Sequence, residues 1–173
     1  MFISSKLQTL IKILAIAAMG ITANAQFINK KWKEQHLITP SGQVIKVSWA
    51  LKMMEQTKGL SGLRPEKMKK DEGLLFYYHS DSKRVFWMPD TYFDLDIIFL
   101  HRDMKVVGIE HSIPHFPKYE PRNKIPVTKE YVSRSVLEIH AGQSQKLGIK
   151  VGSQLKWKKP QQVKNFLKSQ GIK

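Results

Sequence analysis

The chain has 173 residues, no cysteine and a formal net charge of +15, from 29 lysines and arginines against 14 acids. That length suits one domain with a single core. Without cysteine there is no disulfide or thiolate chemistry, so packing and hydrogen bonds must supply stability. The charge attracts polyanions and says nothing about fold.

Residues 1–25 read as a signal peptide. Lys6 and Lys12 form a positive start, Ile13 to Ile21 is a short apolar run, and Ala23-Asn24-Ala25 is a small-residue cleavage box. The apolar run is far shorter than the ~20 residues that span a bilayer as a helix. No cysteine follows it, which excludes a bacterial lipoprotein anchor. Cleavage after Ala25 would leave a chain beginning at Gln26, placed outside the cytoplasm, in the bacterial periplasm or secreted.

Residues 26–42 are a basic lead-in, with Lys30, Lys31 and Lys33 beside Trp32, ending at the Ser41-Gly42 turn. Residues 43–159 read as one β-rich domain. Gln43 to Leu51 is a strand, and Lys52 to Lys58 a short helix stopped by Gly59. Pro65 opens a second short helix through Lys69. Leu74 to Tyr78 and Val85 to Met88 are strands, joined by a hairpin loop at Asp81-Ser82-Lys83. Leu95 to Leu100 is a strand; after a turn at His101-Arg102-Asp103 comes another, Lys105 to Ile113. Pro114, Pro117, Pro121 and Pro126 make an extended loop, since each lacks an N–H and fixes φ. Tyr131 to His140 is a strand, Gln143 to Leu147 one or two helical turns, and Leu155 to Trp157 closes a hairpin. Residues 160–173 form a basic helix or tail, with Val163, Phe166 and Leu167 at helical spacing among lysines. Many short strands with few brief helices predict a mostly β chain: one compact β-barrel or sandwich.

Several pieces occur together and in order between Gly59 and Trp157. They are Gly59-Leu60-Ser61-Gly62, Gly73-Leu74-Leu75-Phe76, Phe86-Trp87-Met88-Pro89-Asp90-Thr91 and Leu95-Asp96-Ile97-Ile98-Phe99. Val106-Val107, Val136-Leu137-Glu138, Ala141-Gly142 and Leu147 to Gly152 follow. In these the chain resembles the uncharacterised domain-of-unknown-function 192 family. The resemblance implies a compact, mostly β domain with short helices, often exported; it implies no activity. Relatives more often carry Asn where Asp90 stands. Many also have cysteines after the position of Pro114, where this chain has His115 and Pro117, so a thiol role in them does not carry over.

The candidate binding residues are Trp87, Asp90, Thr91, Asp94 and Asp96, with Arg64 as a nearby donor. Alternation puts Asp94, Asp96 and Ile98 on one face, opposite Leu95 and Ile97. Asp96 is the sharpest of them, because a carboxylate inside an apolar run must be hydrogen-bonded or paired if buried. It would serve either a ligand pocket edged by Trp87 or, structurally, turn amides or an internal arginine. Glu138 and His140 share a strand face with Arg134 and read as a salt-bridged surface pair. His111 and His115 have metal-ligand spacing, but Pro114 breaks the helix that would align them, and no metal site is expected. P-loop and dinucleotide fingerprints are absent, and no cofactor is expected.

The expected function is an exported basic binding or accessory module of the cell envelope. A carboxylate-dependent hydrolase and a charge-held structural envelope protein are the alternatives. An anionic envelope polymer or lipid surface is the partner that the charge favours, and export argues against nucleic acid. No small-molecule ligand can be named from these residues.

Overall fold

In a computed structural model, residues 35–117 and 122–172 can be described. Residues 1–25, read above as a signal peptide, and residues 26–34 of the lead-in lie outside them. The fold is one curled seven-stranded sheet, a half-barrel, with a few short helices.

Strand β1 (Gln35–Ile38) pairs antiparallel with β2 (Val44–Ala50) through a tight turn, in which the Thr39 amide donates to the Gln43 carbonyl at 2.9 Å. Next, β3 (Glu72–Arg84) lies parallel to β2, with Trp49 opposite Leu75. A parallel neighbour requires a crossover. This one carries helix α1 (Met53–Lys58) and a 3₁₀ turn at Pro65–Lys67. β4 (Leu95–Leu100), β5 (Val106–Ile113) and β6 (Tyr131–His140) complete the antiparallel part. β6 inserts between β3 and β4, and β5 edges the sheet. After helix α2 (Gln143–Lys146), β7 (Lys156–Trp157) pairs with β1 at the opposite edge. The segment before β7 reaches back to the start of β5: the Val106 amide donates to the Ser153 carbonyl at 2.8 Å, and the Leu155 amide to that of Met104 at 3.2 Å. These bonds draw the two sheet edges together.

All six residues of β4 are buried, because it has strands beside it and apolar layers on both faces. One layer contains Leu37, Trp49, Leu75, Ile98 and Leu137. Helix α3 (Pro160–Ser169) docks on it through Val163, Phe166 and Leu167. Trp49 stacks on Trp157 with centroids 5.2 Å apart. The other layer contains Phe76, Phe86, Met88, Ile97, Phe99 and Val136. Two cores in a chain without cysteine supply the burial that disulfides would otherwise supplement.

Three local expectations change. The lead-in contains β1, whose Gln35 and Leu37 are buried against the sheet. Residues Asp81 to Lys83 belong to β3, not to a hairpin loop: β3 bulges after Tyr77 and pairs again with β6 from Ser82 to Arg84. Residues Val85 to Met88 then form no strand of their own. They zip onto the proline-rich loop, where the Met88 amide donates to the Pro126 carbonyl at 3.1 Å and the Phe86 amide to the Thr128 hydroxyl at 2.9 Å. Pro126 lacks an N–H yet serves there as an acceptor.

Candidate functional site

The crossover and the Phe86–Thr91 segment face one another across a pocket of about 120 Å³. Helix α1 begins where the Glu55 carboxylate accepts the amides of Leu51 (2.9 Å) and Lys52 (3.2 Å), satisfying donors that a helix start leaves open. It ends at Gly59, whose φ of +50° suits glycine. The following residues form one wall and are tied to the other. The Ser61 hydroxyl donates to the Pro89 carbonyl at 2.8 Å, and the Gly62 amide to the Asp90 carbonyl at 2.8 Å. Asp90 itself has φ +52°, a region where Asn and Asp are enriched among non-glycine residues.

Glu138 lines this pocket from the middle of the sheet. It stands on β6 between Leu74 of β3 and Ile97 of β4, and only 5% of it is exposed. Its Oε2 has no hydrogen-bond partner. Burial raises its pKa to about 8, so the carboxyl is mainly protonated at neutral pH. A β-carbon on Gly59 would lie 4.0 Å from Oε2 and 3.1 Å from the Phe76 ring, so the backbone of the first wall closes down beside the acid.

Phe76, Tyr78, Phe86 and Trp87 add four aromatic rings. Phe76 and Phe86 meet edge to face at 4.8 Å. Burial pushes the Tyr78 hydroxyl up to about 12, against the opposing pull of Arg84, whose guanidinium lies 3.3 Å from the ring centroid. Trp87 is 44% exposed, which makes it part of the rim.

Of the residues singled out in sequence, Trp87 and Thr91 line the pocket. Thr91 is buried; its hydroxyl donates to the Met88 carbonyl at 2.8 Å and accepts the Phe116 amide at 3.1 Å, which pins the second wall. Asp90 stands behind that wall, against Gly62. Asp94 is outside the pocket, where its Oδ1 accepts the His115 amide (2.8 Å) and lies 2.6 Å from His115 Nδ1; the ring contact, then the amide, lowers its pKa. Arg64 lies over the Tyr92 ring at 4.0 Å and makes no bond to Asp96.

Asp96 is fully buried, on the face of the sheet opposite Glu138: it is paired with Ile139, while Glu138 is paired with Ile97. Its Oδ1 accepts the Ser112 amide at 2.9 Å, and its Oδ2 accepts the Ser144 amide (2.9 Å) and hydroxyl (2.7 Å). It therefore anchors β5 and α2 to β4. His111 Nδ1 lies 3.0 Å from the Ser144 hydroxyl oxygen, but that hydroxyl is fully buried and gives its proton to Asp96, so it is not a poised nucleophile. Among the described residues, no three His, Asp or Glu side chains gather as metal ligands.

Glu138 and His140 do share a face of β6, but that face is covered. His140 donates from Nε2 to the Met68 carbonyl at 2.7 Å and stacks on Phe93 at 4.5 Å, and burial lowers its pKa. Arg134 sits over Tyr77, 5.6 Å from the ring centroid. Reading the three as a solvated face overlooked the acid in the pocket. The signal was present in Val136-Leu137-Glu138-Ile139, an acid in an apolar strand, the same pattern that drew attention to Asp96.

The model of the DUF192 family, described as "Uncharacterized ACR", matches residues 36–157. None of the curated proteins matches the chain. Two solved structures are similar to it. One, from Sinorhizobium meliloti and described as a candidate transcription regulator, is 28% identical with a TM-score of 0.57, over 71% of this chain and 91% of that one. The other, a protein of unknown function from Novosphingobium aromaticivorans, is 30% identical with a TM-score of 0.58, over 71% and 83%.

Proposed function

We propose that this chain, which belongs to the DUF192 family, is a small-ligand-binding domain whose pocket presents the Glu138 carboxyl to its occupant. The observation that carries this reading is the burial of that acid, with Oε2 unpartnered, at a concave site. An unsatisfied polar group in an apolar layer is costly, and such costs are concentrated at functional sites. Four pieces that carry the family resemblance meet there: Gly59 to Gly62, Phe76, Phe86 to Thr91 and Glu138.

Binding is favoured over hydrolysis. Glu138 is the pocket's one carboxyl among the described residues, and the Ser61 and Thr91 hydroxyls already donate to backbone carbonyls. A carboxylate pair that shares acid and base roles needs a second member. Export as a cell-envelope module belongs to the same proposal. A basic cluster supports attraction to anionic envelope material: Lys158, Lys46 and Lys159, after burial, lower the pKa of His36.

The test is a titration of the folded protein with four-carbon fragments of three kinds (cationic, anionic and neutral), followed through the tryptophan indole NMR signals. Trp87→Phe assigns the relevant signal. At least one fragment should shift the Trp87 signal and leave that of Trp157 in place. If no fragment moves it, the pocket is not a ligand site.

A further inference from the structure

The chemistry of the lining narrows the ligand, on the premise that the pocket is a ligand site. Its polar hydrogens are largely engaged within the protein. The Gly59 and Ser61 amides donate to the Glu55 and Lys58 carbonyls, and the Ser61 and Thr91 hydroxyls donate to the Pro89 and Met88 carbonyls. The Gln56 side-chain amide donates to the carbonyls of Ala50, Leu51 and Tyr77. An occupant therefore meets aromatic rings and a carboxyl whose oxygen lacks a partner, with the Thr57 and Lys58 side chains of α1 at the border. Ring faces carry negative electrostatic potential and attract cations.

We infer that the pocket takes the ammonium head of an alkylamine, held by Glu138 and enclosed by Phe76, Tyr78, Phe86 and Trp87. The volume suits a head of a few heavy atoms, being somewhat below the ~150 Å³ cavity that holds benzene elsewhere. A cation also answers the electrostatic problem of the site. Buried alone, Glu138 keeps its proton; beside an ammonium it ionises, and the proton leaves to solvent as the ion pair forms.

Other charges face the site and shape its behaviour. Lys58 from α1 lines the pocket with Nζ near Gly62, and Arg84 from β3 lies on Tyr78. His140 shares Glu138's face of β6 but bonds Met68, and β4 contributes the apolar Leu95, Ile97 and Phe99 on that side. Lys58 and Arg84 oppose the incoming cation. Affinity therefore depends on ionised Glu138 at short range, not on long-range attraction to a basic protein.

The experiment uses the folded domain with n-butylammonium, butyrate and butanol as probes. Nα-acetyl-lysine amide is added to separate a free amine from a lysine side chain carried by another protein. Calorimetry at pH 7, in two buffers of different ionisation enthalpy, reads proton release. Butylammonium or the capped lysine should shift the Trp87 indole signal and release close to one proton. Its affinity should rise about tenfold per pH unit up to about pH 8 and then level off. Glu138→Gln, which keeps the shape, should remove the proton release and weaken binding more than tenfold. Trp87→Ala, at the exposed rim, should weaken binding while proton release persists. If butyrate or butanol moves the Trp87 signal and neither amine does, the cation inference is overturned and the pocket reading stands. If none of the four moves it, both fall.

Discussion

Asp96 Oδ2 accepts two hydrogen bonds from Ser144, one from its amide at 2.9 Å and one from its hydroxyl at 2.7 Å. This couples β4, an interior strand, to the short helix that follows β6, and Oδ1 extends the anchor to the Ser112 amide. A fully buried carboxylate is tolerated here because three donors converge on it.

Asp96→Asn should therefore act on stability. The amide can offer one acceptor oxygen; its NH₂ group would face a donor from Ser144 or Ser112. Urea denaturation should show a loss of about 1.5–3 kcal/mol, the range for hydrogen bonds to a charged group. Fragment binding at the Glu138 pocket, on the opposite face, should be unchanged. An Asp96→Asn protein of full stability that binds nothing would reverse this assignment.

Glu138 predicts an opposite dependence on pH from the one an ordinary ion pair gives. Its folded pKa is about 8, raised from 4.5. Between those values the native state holds a proton that the unfolded chain has released, so stability falls as pH rises. The slope is up to about 1.4 kcal/mol per pH unit. The effect is complete above about pH 8 and absent below 4.5. His140 works the other way: its lowered pKa removes stability as pH falls below the ordinary histidine value of 6.5. Comparing Glu138→Gln with the parent isolates the acid, because His140 is common to both. Their stability difference, from urea melts at pH 5, 6, 7 and 8, should shift steadily in favour of the variant. Parallel curves would mean that Glu138 is ionised throughout.

Gly59→Ala should damage the pocket as well as the fold. A β-carbon there sits at positive φ and meets Phe76 at 3.1 Å, in the space beside Glu138 Oε2. With ψ at −132° this is a conformation nearly confined to glycine, and we expect a loss of about 1–3 kcal/mol from it, together with weaker fragment binding. Gly42→Ala is the control: φ is +81° and the space is open, so it should show the backbone cost with binding intact. Equal binding by both variants would place the ligand away from Gly59.

The N-terminal segment makes its own prediction. Expressed with residues 1–25 in a bacterium, the protein should be recovered outside the cytoplasm with an intact mass that begins at Gln26. Retention on anionic vesicles should then fall steeply between low and high salt, as screening shortens the reach of the lysines. A cytosolic product that retains Met1 would remove the export proposal.

What the sequence determined by itself were features set by local chemistry. The apolar run from Leu95 to Leu100 dictates a buried strand, Gly59 ends a helix that Glu55 helps to start, and Val163, Phe166 and Leu167 mark the docking face of α3. The family pieces were equally legible, since each is a short continuous motif. Which side of a strand is covered was decided only by tertiary structure. A period of two assigns Arg134, Glu138 and His140 to alternate positions but cannot say whether water or another layer lies above them. The layer over Glu138 comes from α1 and from the Phe86–Thr91 segment, both distant in sequence, and it reaches the acid because β2 and β3 are parallel and need a crossover. The same logic separates the two acids in apolar strands. Asp96 meets donors from Ser112 and Ser144 and becomes an anchor, whereas Glu138 meets aromatic rings and the backbone at Gly59 and keeps an oxygen unpartnered. Burial and pKa are properties of what surrounds a side chain, and long-range pairing determines those surroundings.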